Sequence, residues 1–161
     1  MLDKKSIELF EAFGVLTQEE LESRYLISIE KYNKLVNIEG RIMHRMVKRT
    51  YLPAINAYAA KVAEQINQIK KTGNKSHLHD LEDTLSTLLN GIENIHDCLE
   101  RLDSLREMAK KLSDEQKRAN HNAKKLVPAM KKLRSSVDAM EHIVSRDAWP
   151  VPSYNNMLFY V

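Results

Sequence analysis

Apolar residues recur every three or four positions along nearly the whole chain, a helical period throughout. Residues 3–13 carry Ile7, Leu9, Phe10 and Phe13 with Gly14 behind them, which predicts a short amphipathic helix closed by glycine. Thr17 and Glu20 then form a capping box. A single stripe follows: Leu21, Tyr25, Ile29, Tyr32, Val36, Gly40, Met43, Val47, Tyr51, Ile55, Tyr58, Val62, Ile66 and Ile69. It predicts one helix over about 17–72. Gly40, on the stripe, is expected to admit a neighbouring backbone, and Pro53 to kink the rod by removing one hydrogen bond. The stop is "KKTGNKS", residues 70–76, with Ser76 capping the next helix.

That second helix, about 76–112, has Leu78, Leu81, Leu85, Leu88, Ile92, Ile95, Leu99 and Leu102 in coiled-coil spacing, interrupted at Arg106. Ser113 with Gln116 suggests another capping box, opening a third helix over about 114–146. Its stripe is Ala119, Ala123, Leu126, Met130, Leu133, Val137, Met140 and Val144, and Pro128 is expected to bend it. Short connections make long helices antiparallel neighbours. The expected fold is therefore all-α: one antiparallel bundle of three long helices plus a short N-terminal helix, residues 1–146, followed by an extended tail, residues 147–161.

The lengths do not match. The first helix would run about 80 Å against about 50 Å for its partners, at 1.5 Å per residue. Its first half, with Tyr25, Ile29, Tyr32 and Val36 inward, is expected to overhang and to dock on something outside the chain. The tail, "DAWPVPSYNNMLFYV", points the same way: it holds four of the ten aromatic residues, and its prolines forbid a helix. Trp149, Pro150, Pro152, Tyr154, Leu158 and Phe159 are its docking candidates.

Composition narrows this picture. Four Gly and four Pro in 161 residues leave few turns, which excludes strand-rich folds. A hydrophobic share of 43% with 29% charged residues is that of a packed domain, not a disordered chain. One cysteine, Cys98, forbids an internal disulfide and fits the reducing cytoplasm. Charged residues interrupt every apolar run, so neither a membrane span nor a signal peptide is expected. A net charge of +3 is too small to imply a nucleic-acid partner.

Candidate chemistry is sparse. His77 and His79 beside Asp80 do not share a helical face, and Glu93 with His96 is one Glu-x-x-His where a di-metal bundle needs two. Cys98, flanked by Asp97 and Glu100, fits a packing residue better than a nucleophile. No phosphate-binding or nucleophile-elbow motif occurs. No catalytic, metal-binding or cofactor-binding residue is assigned. The strongest charge feature is a basic ridge on the third helix: Lys117, Arg118, Lys124, Lys125, Lys131, Lys132 and Arg134. It either complements acids of the second helix or serves a free-standing adaptor that binds an acidic protein; without interleaved aromatics, RNA fits less well.

Two segments carry a family resemblance. "RYLISIEKYNKLVNIEGRIMHRMVKRTYLPAINAY", residues 24–58, resembles a stretch of type III glutamine synthetases through Arg24, Tyr25, Glu30, Tyr32, Lys34, Ile38, Glu39, Met43, Lys48, Arg49, Pro53 and Ala54. The tail resembles that family's ending, D-x-W-P-x-P-[ST]-Y-G-x-L-L-F, through Asp147, Trp149, Pro150, Pro152, Ser153, Tyr154, Leu158 and Phe159. The opening "IELFEAFGVLTQEEL" is similar to the lead-in of the same region, whereas residues 70–115 match only in helical character. Asn155 stands where the family has Gly, and Met157 where it has Leu. The resemblance implies a C-terminal helical region, expected as a piece of a larger enzyme with Met1 added. The whole enzyme joins ammonia to glutamate with ATP and Mg²⁺ and assembles as stacked rings. Its metal ligands and nucleotide site lie in an upstream catalytic core, so this chain alone is expected to be inactive.

Overall fold

A computed structural model describes residues 2–73, 78–152 and 157–158. Among them every regular element is helical and none is a strand. α1 (Lys4–Ala12) starts at Asp3, whose carboxylate accepts from the Ser6 backbone N–H at 3.0 Å and the Ser6 hydroxyl at 2.9 Å. Gly14 follows with φ of +61°, the left-handed turn that glycine adopts without a steric cost. α2 (Gln18–Met46) opens with the capping box: Thr17 Oγ1 accepts from the Glu20 N–H at 3.2 Å, and Glu20 Oε2 from the Thr17 N–H at 2.9 Å. The chain passes through a π turn, Val47–Tyr51, into α3 (Leu52–Thr72), which Gly73 ends at φ of +73°. α4 (Leu78–Lys111) is continuous; the expected Ser76 cap lies outside the described residues. α5 (Glu115–His121), a second π turn (Asn122–Leu126) and α6 (Val127–Glu141) complete the helices, before a short 3₁₀ turn at Arg146–Ala148.

Both prolines sit two residues beyond a π turn, where the sequence predicts kinks. A helical proline lacks an N–H and crowds the carbonyl four residues back, here Arg49 and Lys124, both inside the π turns. Widening that turn relieves the crowding, and Leu52 and Val127 donate instead to Val47 and Asn122, five residues back. The extra residue rephases the helix by about 100°. Leu52 is therefore buried while Tyr51, the expected stripe residue, is half-buried; likewise Asn122 is buried and Ala123 exposed. At α5 the cap is Asp114, not Ser113: its carboxylate accepts from the Lys117 N–H at 2.8 Å, and an anion suits a helix N-terminus better than a hydroxyl.

Side-chain bonds fix how the helices run. Lys70 meets Glu82 at 2.8 Å and His44 meets Asp103 at 2.9 Å, so α4 runs antiparallel to α2 and α3. His121 Nε2 lies 3.0 Å from the Leu105 carbonyl, and Asn94 donates to Ser136 at 3.0 Å, so α5 and α6 run back along α4. Ile55, Leu88, Ile95, Leu102, Leu105, Leu126 and Leu133 are fully buried where these elements meet. Each such side chain contributes about 1.5–3 kcal/mol of transfer free energy. Cys98 is buried against Ser136, in keeping with a packing residue. Gly40 is buried too, but what approaches it is the Arg106 side chain, 3.4 Å from where a Cβ would stand, and not a backbone.

Candidate docking surface

The predicted overhang is largely covered from within. α1 folds against α2, and α5 runs beside its first half. Tyr25, half-buried, bonds through its hydroxyl to Gln116 Oε1, Ile29 is half-buried, and Val36 lies in the core with 5% exposure. Of the four residues expected to dock elsewhere, only Tyr32 is exposed.

The uncovered apolar surface lies on another face of α2. Leu35, Ile38, Ile42 and Met46 follow one another at three- and four-residue steps and each is more than two-fifths exposed. Beside them opens a groove of about 530 Å³ between the end of α2 and α6. Ile42, Met46 and Tyr51 form one wall, Met130 and Val137 the other, and Arg134, Asp138 and Glu141 supply charges. Burial, then the Glu141 and Asp138 carboxylates, push the Tyr51 phenol above its ordinary pKa, so it stays a neutral donor at physiological pH. This stripe was readable as a second helical period, but the longer stripe through Val36 and Gly40 accounts for the same residues' neighbours and hides it.

The tail meets the groove wall at Tyr51. Trp149 stacks on Tyr51 with centroids 5.3 Å apart and planes tilted by 45°, and packs with Ala148 against the core. Its indole N–H is buried without a hydrogen-bond partner among the described residues. Pro150 and Pro152 are exposed, as is Leu158; Tyr154 and Phe159 lie outside the described residues.

The basic ridge does not meet α4. Arg118 pairs with Glu115 of its own helix at 2.5 Å and donates to the Leu112 carbonyl, and Arg134 pairs with Asp138 at 3.3 Å. Lys117, Lys124, Lys125, Lys131 and Lys132 are exposed and make no ion pair among the described residues. The α4 acids turn to nearer partners: Asp103 to His44 and Arg106, Glu107 to Lys110 at 2.6 Å.

Among the described residues no three His, Cys, Asp or Glu side chains converge to hold a metal ion. His79 pairs with Asp83 at 3.0 Å, while His77 lies outside the described residues. Among the described residues no helix is long and apolar enough to cross a membrane.

Comparison with known proteins supplies the context. Residues 1–70 match the family model described as the glutamine synthetase C-terminal domain. Nearly the whole chain aligns with a type-3 glutamine synthetase of Dictyostelium discoideum, 30% identical over 97% of this chain and 22% of that protein. Over nearly its whole length the chain is similar to part of a glutamine synthetase. A glutamine synthetase of Butyrivibrio fibrisolvens is 27% identical over 98% of this chain and 23% of its own length. One from Bacteroides fragilis is 21% identical over 90% of this chain and 20% of its own. The chain thus spans less than a quarter of the length of the curated relatives it matches.

Proposed function

We propose that this domain is the non-catalytic helical part of a type III-like glutamine synthetase. It packs on the catalytic core of its own polypeptide and on neighbouring subunits, and so supports assembly of a ring-shaped homo-oligomer in the cytoplasm. The observation that carries this is the apolar stripe from Leu35 to Met46, continuous with the groove beside it, which no element among the described residues covers. The relatives' extra length supplies an occupant, since more than three-quarters of each lies outside the matched part. In this proposal three helical rods, bent at Pro53 and Pro128, form the scaffold, and the aromatic tail is the clasp. ATP and Mg²⁺ belong to the catalytic core, and no residue here is assigned to them.

The test uses the complete enzyme. Ile38→Glu with Ile42→Glu places two carboxylates on the stripe, and light scattering is expected to show loss of the full assembly. The same pair in residues 1–161 is expected to leave the helical circular dichroism unchanged. An intact, fully active oligomer carrying both substitutions overturns the docking face; ATP-dependent glutamine formation by the pure 161-residue chain overturns the non-catalytic assignment.

A further inference from the structure

The charges around the apolar face of α2 are of one sign. Lys31, Ile38 and Arg45 stand seven residues apart, so they follow one line of the helix with a drift of about 20° per step. Leu35 and Ile42 flank that line at three- and four-residue steps. The stripe is therefore bracketed, by Lys31 one turn before Leu35 and by Arg45 beside Met46. Both cations are exposed, and neither makes an ion pair or hydrogen bond among the described residues. Lys34, off the line, is by contrast held by Glu30 at 2.5 Å. Residues 24–49 carry seven Lys and Arg against Glu30 and Glu39, in a chain whose whole formal charge is +3.

Steps of three and four residues make ridges between which the side chains of a second helix fit. The apolar ridge from Leu35 to Met46 is about 16 Å long, and its bracketing cations are about 21 Å apart along the axis. Charges at the ends of such a contact select the partner and fix its register. A second copy of the same face fails that selection. About a twofold axis, a parallel pair sets Lys31 against Lys31 and Arg45 against Arg45; an antiparallel pair centred on Ile38 sets Lys31 against Arg45. Either arrangement opposes cation to cation, which costs free energy. The lysine ridge of α5 and α6 is a different kind of surface. Among the described residues no large apolar side chain is exposed between Lys117 and Arg134, which suits a solvated face.

We propose that the occupant of the α2 face is a helix of different sequence, apolar over three turns and carrying an Asp or Glu at each end of that stretch, one for Lys31 and one for Arg45. This rests on the docking reading above and places the helix in the part of the enzyme outside this chain. The apolar contact supplies the attraction, and the two carboxylates, about fourteen residues apart, set the register.

The complete enzyme is treated with a water-soluble carbodiimide, which joins an amine to a carboxylate only where the two touch, and peptide mass spectrometry locates the links. Lys31 is expected to couple to an Asp or Glu outside residues 1–161. Arg45→Lys supplies an amine at the other end and is expected to couple to a second carboxylate of the same helix. Lys31→Glu with Arg45→Glu is expected to raise the concentration of half-dissociation about tenfold in dilute salt. The gap should narrow in about 1 M salt, where charges are screened beyond about 3 Å. The cross-linking of Lys31 needs no variant and stands if the reversed pair fails to fold. Links from Lys31 confined to residues 1–161, or none at all, overturn the proposal, and so does a folded reversed pair that assembles like the parent. If Ile38→Glu with Ile42→Glu still dissociates that enzyme, the docking face survives without its acidic partner; if neither pair disturbs assembly, the face itself falls.

Discussion

α2 and α3 are two halves of one helical rod, joined by a π turn, yet they use their apolar residues in opposite ways. α3 buries Leu52, Ile55, Ala59, Val62 and Ile66 against α4 within 21 residues. α2, with 29 residues, buries Leu21, Asn33, Val36 and Gly40, of which one is polar and one has no side chain. It leaves Leu26, Ile27, Leu35, Ile38, Ile42 and Met46 exposed. Helical propensity does not separate the halves; the neighbours do. α3 has α4 along its length, whereas α2 is shared among α1, α4, α5 and α6, and among the described residues no element covers its Leu35–Met46 face. One half of the rod holds the domain together and the other presents it.

That contrast is easiest to break at Ile55, which is fully buried. Ile55→Ala is expected to cost about 2–5 kcal/mol, the range for deleting a buried aliphatic side chain, read as a lower denaturation midpoint at unchanged m. A loss below 1 kcal/mol would mean that α3 is no better packed than α2.

Trp149 tests the seam where the tail meets the π turn. It is half-buried, so Trp149→Ala is expected to cost about 2 kcal/mol, less than a fully buried ring. Trp149→Phe keeps the stack on Tyr51 and removes an indole N–H that is buried without a partner, so it is expected to fall within about 1 kcal/mol of the parent. Equal losses from both variants would show that the indole edge, rather than ring area, holds the tail. Thermal unfolding of both variants decides.

The face of α2 should give the smallest change in the domain and the largest in the enzyme. Ile42→Glu replaces a side chain that is 42% exposed, so in residues 1–161 it is expected to move stability by no more than about 0.5 kcal/mol. A loss of several kcal/mol would place Ile42 in the domain's own core and remove the distinction between the halves.

The helical period, the Thr17–Glu20 box and the Gly73 stop were legible because each is a local rule that acts within one turn. The π turns were not. A proline announces a missing N–H, but whether the helix kinks or inserts a residue depends on the partners that hold the stretches either side of it. The insertion moved Leu52 into the core and Tyr51 to its edge, against a strict count of three and four. The buried Asn33–Asn122 pair was hidden for a related reason. Asn33 and Asn122 occupy buried positions that a search for apolar periodicity skips, and only the fold brings them within 2.9 Å of each other, 89 residues apart in sequence. Arg106 did show itself as a break in the leucine seam, with nothing in the sequence to say what it faced. The overhang came out too long because helix length was compared without allowing for α5, whose Gln116 and Glu115 reach back to Tyr25 and Asn33.

The mildest test concerns α1, which buries none of its residues and leans on α2. Such a helix depends on its cap. Hydrogen bonds from the Ser6 N–H and hydroxyl hold the Asp3 carboxyl below its ordinary value of 3.8. A carboxyl whose folded pKa is depressed contributes stability above its unfolded pKa and loses it as pH falls through the folded value. Protonation should therefore fray α1 in acid, at a pH below 3.8, while α3 keeps its amide protection because no carboxylate caps it. Hydrogen exchange across an acid titration is the measurement: Ser6 is expected to lose protection first and Val62 last. Loss of both at one pH would mean that α1, α2 and α3 unfold as a single unit, and that the exposed half of the rod is bound to the buried half more tightly than its packing implies.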